Sequence, residues 1–343
     1  MRFLSLILLG LLGLVKPANA AVHSQVDLLN LSPKVIAGEK IKLALRFKCD
    51  PHYHIYWKNP GDAGTPPTIK WTDKAGTAPG PLVWPGPELL DLSGVINFVH
   101  SGETLLIFEA TVPKDSPPSI TIKGHAEWLE CNEGGCYPQE KDVSLTLKIG
   151  EDANAVSFNP KLYAELQPII NLRGRVSNQT LTVKSTDEYQ QVWFPEKNFI
   201  SPTATAKQTS AVGTKTFSLA EATEPPTSDS LYFVTADSNG RFRRIHVELE
   251  NKAISSTLSN SSTSSTELNW GTWSPDAQAA AIAAGKTVYL DFTARWCATC
   301  QVNKRVYHQS EVIAALQQND IVLLRADWTK KDPVIAQELK KYG

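Results

Sequence analysis

The stretch Val288-Tyr289-Leu290-Asp291-Phe292-Thr293-Ala294-Arg295-Trp296-Cys297-Ala298-Thr299-Cys300 decides how the C-terminal part of the chain folds. Residues 287–292 read as a continuous apolar strand that runs directly into the cysteine pair, with a helix expected from there to about His308. A Cys-x-x-Cys at a strand-to-helix junction puts Cys297 at the helix N-terminus, where free N–H groups and the helix dipole favour thiolate. Cys300 sits one turn in, placed to attack a mixed disulfide and release its partner. Zinc would need two further ligands, and no second Cys/His set follows in this segment. Asp291, six residues before Cys297, ends the strand. A carboxyl there either exchanges a proton with the second thiol or simply meets water.

Outward from the motif the rhythm stays α/β. Ser274-Pro275-Asp276 supplies an N-cap, a first-turn proline and a first-turn acid, and Gly285 closes the alanine-rich helix that follows. Further elements are expected as a helix over 311–318, a strand over 321–326 and a helix over 332–341, which together imply parallel βαβ pairing. Residues 251–269 read as a linker: ten of the nineteen are Ser or Thr, too polar to offset their ordering entropy by burial. Upstream the pattern is β. Ile41, Leu43, Leu45, Phe47 and Cys49 alternate with polar or small residues, and further strands are expected at 104–112, 119–129 and 143–149. Pro/Gly-dense segments such as Asn59-Pro60-Gly61-Asp62-Ala63-Gly64 read as turns between them. The spacing suggests an antiparallel sandwich of immunoglobulin-like type over 21–150. A second β-rich domain is expected over 155–250, with strands at 180–183, 191–194, 231–235 and 243–249, and it contains no Cys.

Composition narrows the function. The 343 residues carry 34 Lys+Arg against 35 Asp+Glu, a net charge of -1, which argues against nucleic acid or an anionic membrane as partner. Arg2, the apolar run over 3–15 and Ala18-Asn19-Ala20 read as a signal peptide over 1–20. Export makes the compartment oxidising, so the five cysteines are disulfide partners or redox couples. Cys131 and Cys136 enclose four residues, two of them glycine, so the chain can fold back and close a small ring. So short a loop gains little from closure entropy, which favours a reducible bond over a structural staple. Cys49, in phase with the apolar residues of its strand, should point into the sandwich as a small hydrophobe, with a regulatory thiol as the other reading. His52 and His54 are either structural beside Trp57 or a copper or zinc pair on one strand face.

At both ends of the chain the motifs resemble one family. Val288–Cys300 and Ala326-Asp327-Trp328-Thr329 are similar to the C-terminal thioredoxin-like domain of DsbD/ScsB thiol:disulfide interchange proteins. Cys131 to Pro138 and His54 to Gly64 resemble the N-terminal redox domain of the same family. The resemblance implies that Cys297 and Cys300 are attacking and resolving thiols, that Asp291 is the buried acid, and that Cys131 and Cys136 pass electrons to periplasmic clients. Those clients would be a disulfide isomerase, a cytochrome c maturation thioredoxin or a copper-tolerance protein.

Three departures stand out. The family's membrane domain, which imports electrons, is replaced here by the linker, so the electron donor is a membrane partner not encoded in this chain. The sequence stops at Lys341-Tyr342-Gly343, where the family continues into a Gly-x-Pro segment, so the thioredoxin-like domain over 270–343 is expected to be incomplete. Lys304 stands where the family usually has an acid, and a cation there would favour thiolate. The expectation is therefore a multidomain protein: antiparallel β-sandwich N-terminal domains followed by an α/β thioredoxin-like domain. It is expected to be a periplasmic protein-disulfide reductase with no cofactor and no bound metal. The rival is a non-catalytic binding module of tandem β-domains with a thioredoxin remnant.

Overall fold

The computed structural model describes residues 22–197, 199–211, 213–219, 230–250, 268–294, 296–297, 300 and 303–341. The expected signal peptide at 1–20 and residues 251–267 of the expected linker lie outside them.

Ten strands build an N-terminal sandwich of two antiparallel sheets. One sheet runs in the order β1 (Ser24–Asn30), β2 (Lys40–Cys49), β8 (Glu103–Thr111), β5 (Ala78–Pro79). The other runs β10 (Gly135–Lys148), β9 (Ser119–Asn132), β3 (His54–Gly61), β7 (Val95–Ser101), β6 (Glu88–Leu92), with β4 (Thr68–Asp73) paired to β9. The inward residues of β2 follow the expected alternation: Ile41, Leu43, Leu45, Phe47 and Cys49 join Trp57, Phe98, Phe108 and Ile122 in one core between the sheets. Ala44, on the other face of β2, is also buried, because Tyr163 covers it and donates its hydroxyl to the Leu105 carbonyl at 2.9 Å.

β3 is the main surprise. Residues 59–61, expected as turn, continue the strand, whose register slips between Tyr56 and Gly61. A bulge there lets Pro60 sit in a ladder to which it cannot donate. Gly61 has φ +86, and a Cβ on it would lie 2.4 Å from the Ile96 carbonyl, so the close strand approach requires glycine.

The second β-rich unit is a seven-stranded sheet in the order β13 (Phe194–Pro195), β16 (Ser230–Ala236), β17 (Phe242–Leu249), β11 (Ile170–Ser177), β12 (Thr180–Lys184), β15 (Thr214–Ser218), β14 (Thr209–Ala211). All its pairs are antiparallel except β11 with β17. The strand expected at 191–194 shrinks to Phe194–Pro195. This sheet has its own core of Leu181, Val183, Trp193, Phe217 and Phe233, yet it is bolted to the sandwich. Phe194 inserts between Trp57 and Phe98, with ring centroids 6.3 and 5.3 Å away. Asn59 donates to the Pro195 carbonyl at 2.9 Å, and Lys58 pairs with Glu165 at 2.7 Å and Glu196 at 3.2 Å.

The C-terminal unit has three parallel strands in the order β18 (Trp270–Thr272), β20 (Val322–Asp327), β19 (Val288–Thr293). Ser274 caps the helix Pro275–Ala283 through the Ala277 N–H, as its sequence implied. Helices Ser310–Gln318 and Pro333–Leu339 complete the βαβ pattern, the latter capped by Asp332. Residues 303–304 are helical and Arg305–His308 form a 3-10 turn. Trp273, Leu324, Ala326 and Ile335 form the buried centre of this unit.

Candidate active site

The N-terminal disulfide lies at the tip of the β9–β10 hairpin. Asn132 ends β9, and its side-chain oxygen accepts from the N–H groups of Gly134 and Gly135 at 2.8 and 3.1 Å, which closes the loop tightly. Cys131 and Cys136 are therefore direct cross-strand partners, 4.1 Å apart at Cα, and are bonded to each other. Cys131 is only 1% exposed, whereas Cys136 is half-buried and reachable. Both sulfurs lie on the outer face of their sheet with Tyr56, Val99 and Leu129.

Tyr56 reaches the bond from β3. Its hydroxyl donates to Cys131 Sγ at 3.2 Å and lies 3.6 Å from Cys136 Sγ. Complete burial pushes the Tyr56 phenol well above its ordinary pKa, so it stays a donor. The ring is held by Gly64, whose φ is +98 and whose place a Cβ could take only at 2.1 Å from the ring.

Sequence reasoning missed two groups. Glu130, fully buried beside Cys131, accepts from the His23 N–H at 3.0 and 3.2 Å, from the Ser24 hydroxyl and from Gln139 Nε2 at 3.0 Å. It pins β1 to the end of β9 that carries the disulfide. Two of its partners, His23 and Ser24, lie about a hundred residues away, so no local pattern announces it. Half-buried Trp296 is the other. Cys49 is a free, buried thiol pushed up to about 12 by burial, then by Glu130 and Asp50, in keeping with a core residue. His52 and His54 do not share a face: His52 is exposed at φ +69, while His54 is buried on β3. Among the described residues no cluster of three or more His, Cys, Asp or Glu gathers to hold a metal ion.

In the C-terminal unit Cys297 and Cys300 are bonded, 5.2 Å apart at Cα, and the Cys300 N–H donates to Cys297 Sγ at 3.2 Å. That amide is the kind of donor that stabilises a thiolate at a helix start. Asp291 on β19 is half-buried and accepts from Arg325 Nε at 3.0 Å, so its charge is matched by a cation from β20. Burial, then the nearby Arg325, lowers the Lys304 pKa against the pull of Asp291 and Asp327.

The two pairs meet. Trp296, the residue before Cys297, packs against the cluster of Tyr56, Val99, Leu129, Cys131 and Cys136 and tilts against Trp328 at 5.7 Å. Beside it runs a cleft of about 290 Å³ lined by Thr65, Glu127 and Pro138 from one side and Trp296, Lys330 and Lys331 from the other.

Residues 25–148 match the family described as thiol:disulfide interchange protein DsbD, N-terminal, and residues 269–343 match a thioredoxin-like family. The chain joins a DsbD-type N-terminal domain to a thioredoxin-like domain. Among solved structures, the N-terminal periplasmic domain of ScsB from Proteus mirabilis is 17% identical, with 66% of this chain and 91% of that chain covered and a TM-score of 0.42. The reduced DsbD N-terminal domain of Neisseria meningitidis is 16% identical over 36% of this chain and 89% of that one, with a TM-score of 0.25. No curated protein matches. The DsbD-type domain carries Cys131–Cys136, and the thioredoxin-like domain carries Cys297–Cys300. Two such domains with their cysteine pairs support thiol:disulfide exchange as the chemistry of the chain.

Proposed function

We propose that the chain is a periplasmic protein-disulfide reductase that relays electrons from Cys297/Cys300 to Cys131/Cys136 and on to client disulfides. The observation that supports this reading is the packing of Trp296, the residue before Cys297, on the cluster that holds Cys131 and Cys136. In the first step the Cys297 thiolate attacks Cys136, the reachable sulfur. The Cys131–Cys136 bond breaks, its electron pair leaves on Cys131, and the Tyr56 hydroxyl stabilises that thiolate at 3.2 Å. Cys300 then attacks Cys297, which releases the reduced N-terminal pair. Asp291 is proposed to take the proton of Cys300 in that step. Export through the segment at 1–20 would place the protein among periplasmic thiol clients, and its electrons would come from a membrane partner. The family resemblance points to isomerase, cytochrome c maturation or copper-tolerance proteins as those clients.

The direction is tested by equilibrating each pair with glutathione buffers, using variants in which the other pair is replaced by serine. Cys297/Cys300 should be the more reducing couple. A gap of about 30 mV corresponds to about 1.4 kcal/mol for two electrons. An N-terminal couple lower in potential would reverse the proposed flow.

A further inference from the structure

β3 touches β9 at a single register pair, His54 with Cys131. Directly opposed residues of an antiparallel pair share a face, with Cβ atoms about 4.5–5.5 Å apart. His54 is therefore beside the buried sulfur of the disulfide, with its ring edge on Tyr56, centroids 5.5 Å apart. It is 5% exposed, and its Nε2 has no hydrogen-bond partner. Burial lowers its pKa to about 4, so at neutral pH the ring is an uncharged imidazole with a lone pair to offer. The register sets Cys131 of β9 on one side of it and Ser101 of β7 on the other, with Tyr56 two residues along its own strand; Ser101 donates to Glu88 of β6 at 3.0 Å. Trp296 of the docked domain adds an apolar lid to the same cluster.

The chemistry creates a need at this point. When the reduced N-terminal pair attacks a client, the half-buried, reachable Cys136 forms the mixed disulfide, and Cys131 must then become a thiolate to resolve it. Cys131 is shut away from water, and burial in apolar surroundings disfavours a thiolate. We propose that His54 accepts the Cys131 proton and so generates the resolving thiolate. This rests on the exchange reading above. In that step the S–H bond of Cys131 breaks and its proton passes to Nε2 of His54. The Cys131 sulfur attacks Cys136, the Cys131–Cys136 bond forms, and the bond from Cys136 to the client sulfur breaks with its electron pair on the client. The imidazolium then gives its proton to that departing thiolate. The dithiol loses two electrons and the client disulfide gains them.

Proton count makes the idea testable. With His54 as acceptor, the resting state (thiol plus imidazole) and the reactive state (thiolate plus imidazolium) hold the same number of protons, so resolution is independent of pH between about 5 and 8. Without it the reactive state has one proton fewer, and the rate climbs about tenfold per pH unit towards the thiol pKa. The experiment uses the full chain with Cys297 and Cys300 changed to serine, reduced and mixed with 5,5′-dithiobis(2-nitrobenzoate) in a stopped-flow instrument. The first thionitrobenzoate reports attack by Cys136 and the second reports resolution by Cys131. The second phase should be flat from pH 5 to 8. His54→Gln should leave the first phase unchanged, slow the second at least about tenfold at pH 7 and give it a unit slope with pH. In His54→Ala, added free imidazole should restore the second phase. A second phase that already rises with unit slope in the parent overturns the proposal without any variant, and so does a His54→Gln second phase matching the parent. A parent that never releases a second thionitrobenzoate overturns the exchange reading itself.

Discussion

Tyr56 and Gly64 act as one unit at the redox site. The ring fills the space a Cβ at position 64 would occupy, and its hydroxyl is the donor the structure aims at Cys131. A hydrogen bond to a charged group contributes about 1.5–3 kcal/mol, so Tyr56→Phe should slow reduction of the Cys131–Cys136 bond by about ten- to a hundredfold. Gly64→Ala should slow it as well by pushing the ring aside, although it leaves every side chain at the disulfide intact. Stopped-flow reduction by a small dithiol checks both, and unchanged rates would remove Tyr56 from the mechanism. The cysteines themselves were legible in the sequence, because their chemistry depends on spacing alone. Glu130 and His54 were not, since their meaning lies in partners on other strands: His23 and Ser24 for the one, Cys131 for the other.

At the scale of elements, legibility tracked burial. β2 has one face in the core and one largely outside, so its alternation announced it. β3 is covered on both faces, by the sandwich core on one side and the redox cluster on the other, so four consecutive residues are buried and no period-2 signal survives. Pro60 and Gly61 then imitate a turn. The same double burial has a consequence for acid stability. His54 on the outer face and His100 on the inner face, stacked on Trp84, are both held neutral, with burial lowering their pKa from 6.5 to about 4 and about 3. The folded chain thus refuses protons that the unfolded chain accepts below pH 6.5. Stability is present above that value and is lost as pH falls towards the folded pKa values, at about 1.4 kcal/mol per pH unit for each histidine. Urea unfolding at pH 7 and pH 5 should show a loss of about 2 kcal/mol per histidine, and His100→Phe should remove its share of that slope. An equal free energy at both pH values would mean that the two rings are hydrated in the fold.

The whole molecule is organised around one face of the sandwich. The seven-stranded sheet grips β3 at Trp57, Lys58 and Asn59, the residues that follow Tyr56, through Phe194, Glu196 and the Pro195 carbonyl. The thioredoxin-like domain covers the same strand's outer face through Trp296. One strand therefore carries the donor to the disulfide, the neighbour of Cys131 and the anchor to the second sheet. A tethered domain faces its partner at an effective concentration of order mM, so the proposed exchange between the pairs would need no second molecule. The central claim is that Cys297 attacks Cys136. Replacing Cys300 with Ala removes the resolving thiol and leaves that attack without its second step. After reduction of Cys297 with the N-terminal pair oxidised, peptide mapping by mass spectrometry should find a disulfide between Cys297 and Cys136 within one chain. A Cys297 that alkylates freely yet forms no bond to Cys136 would contradict the relay.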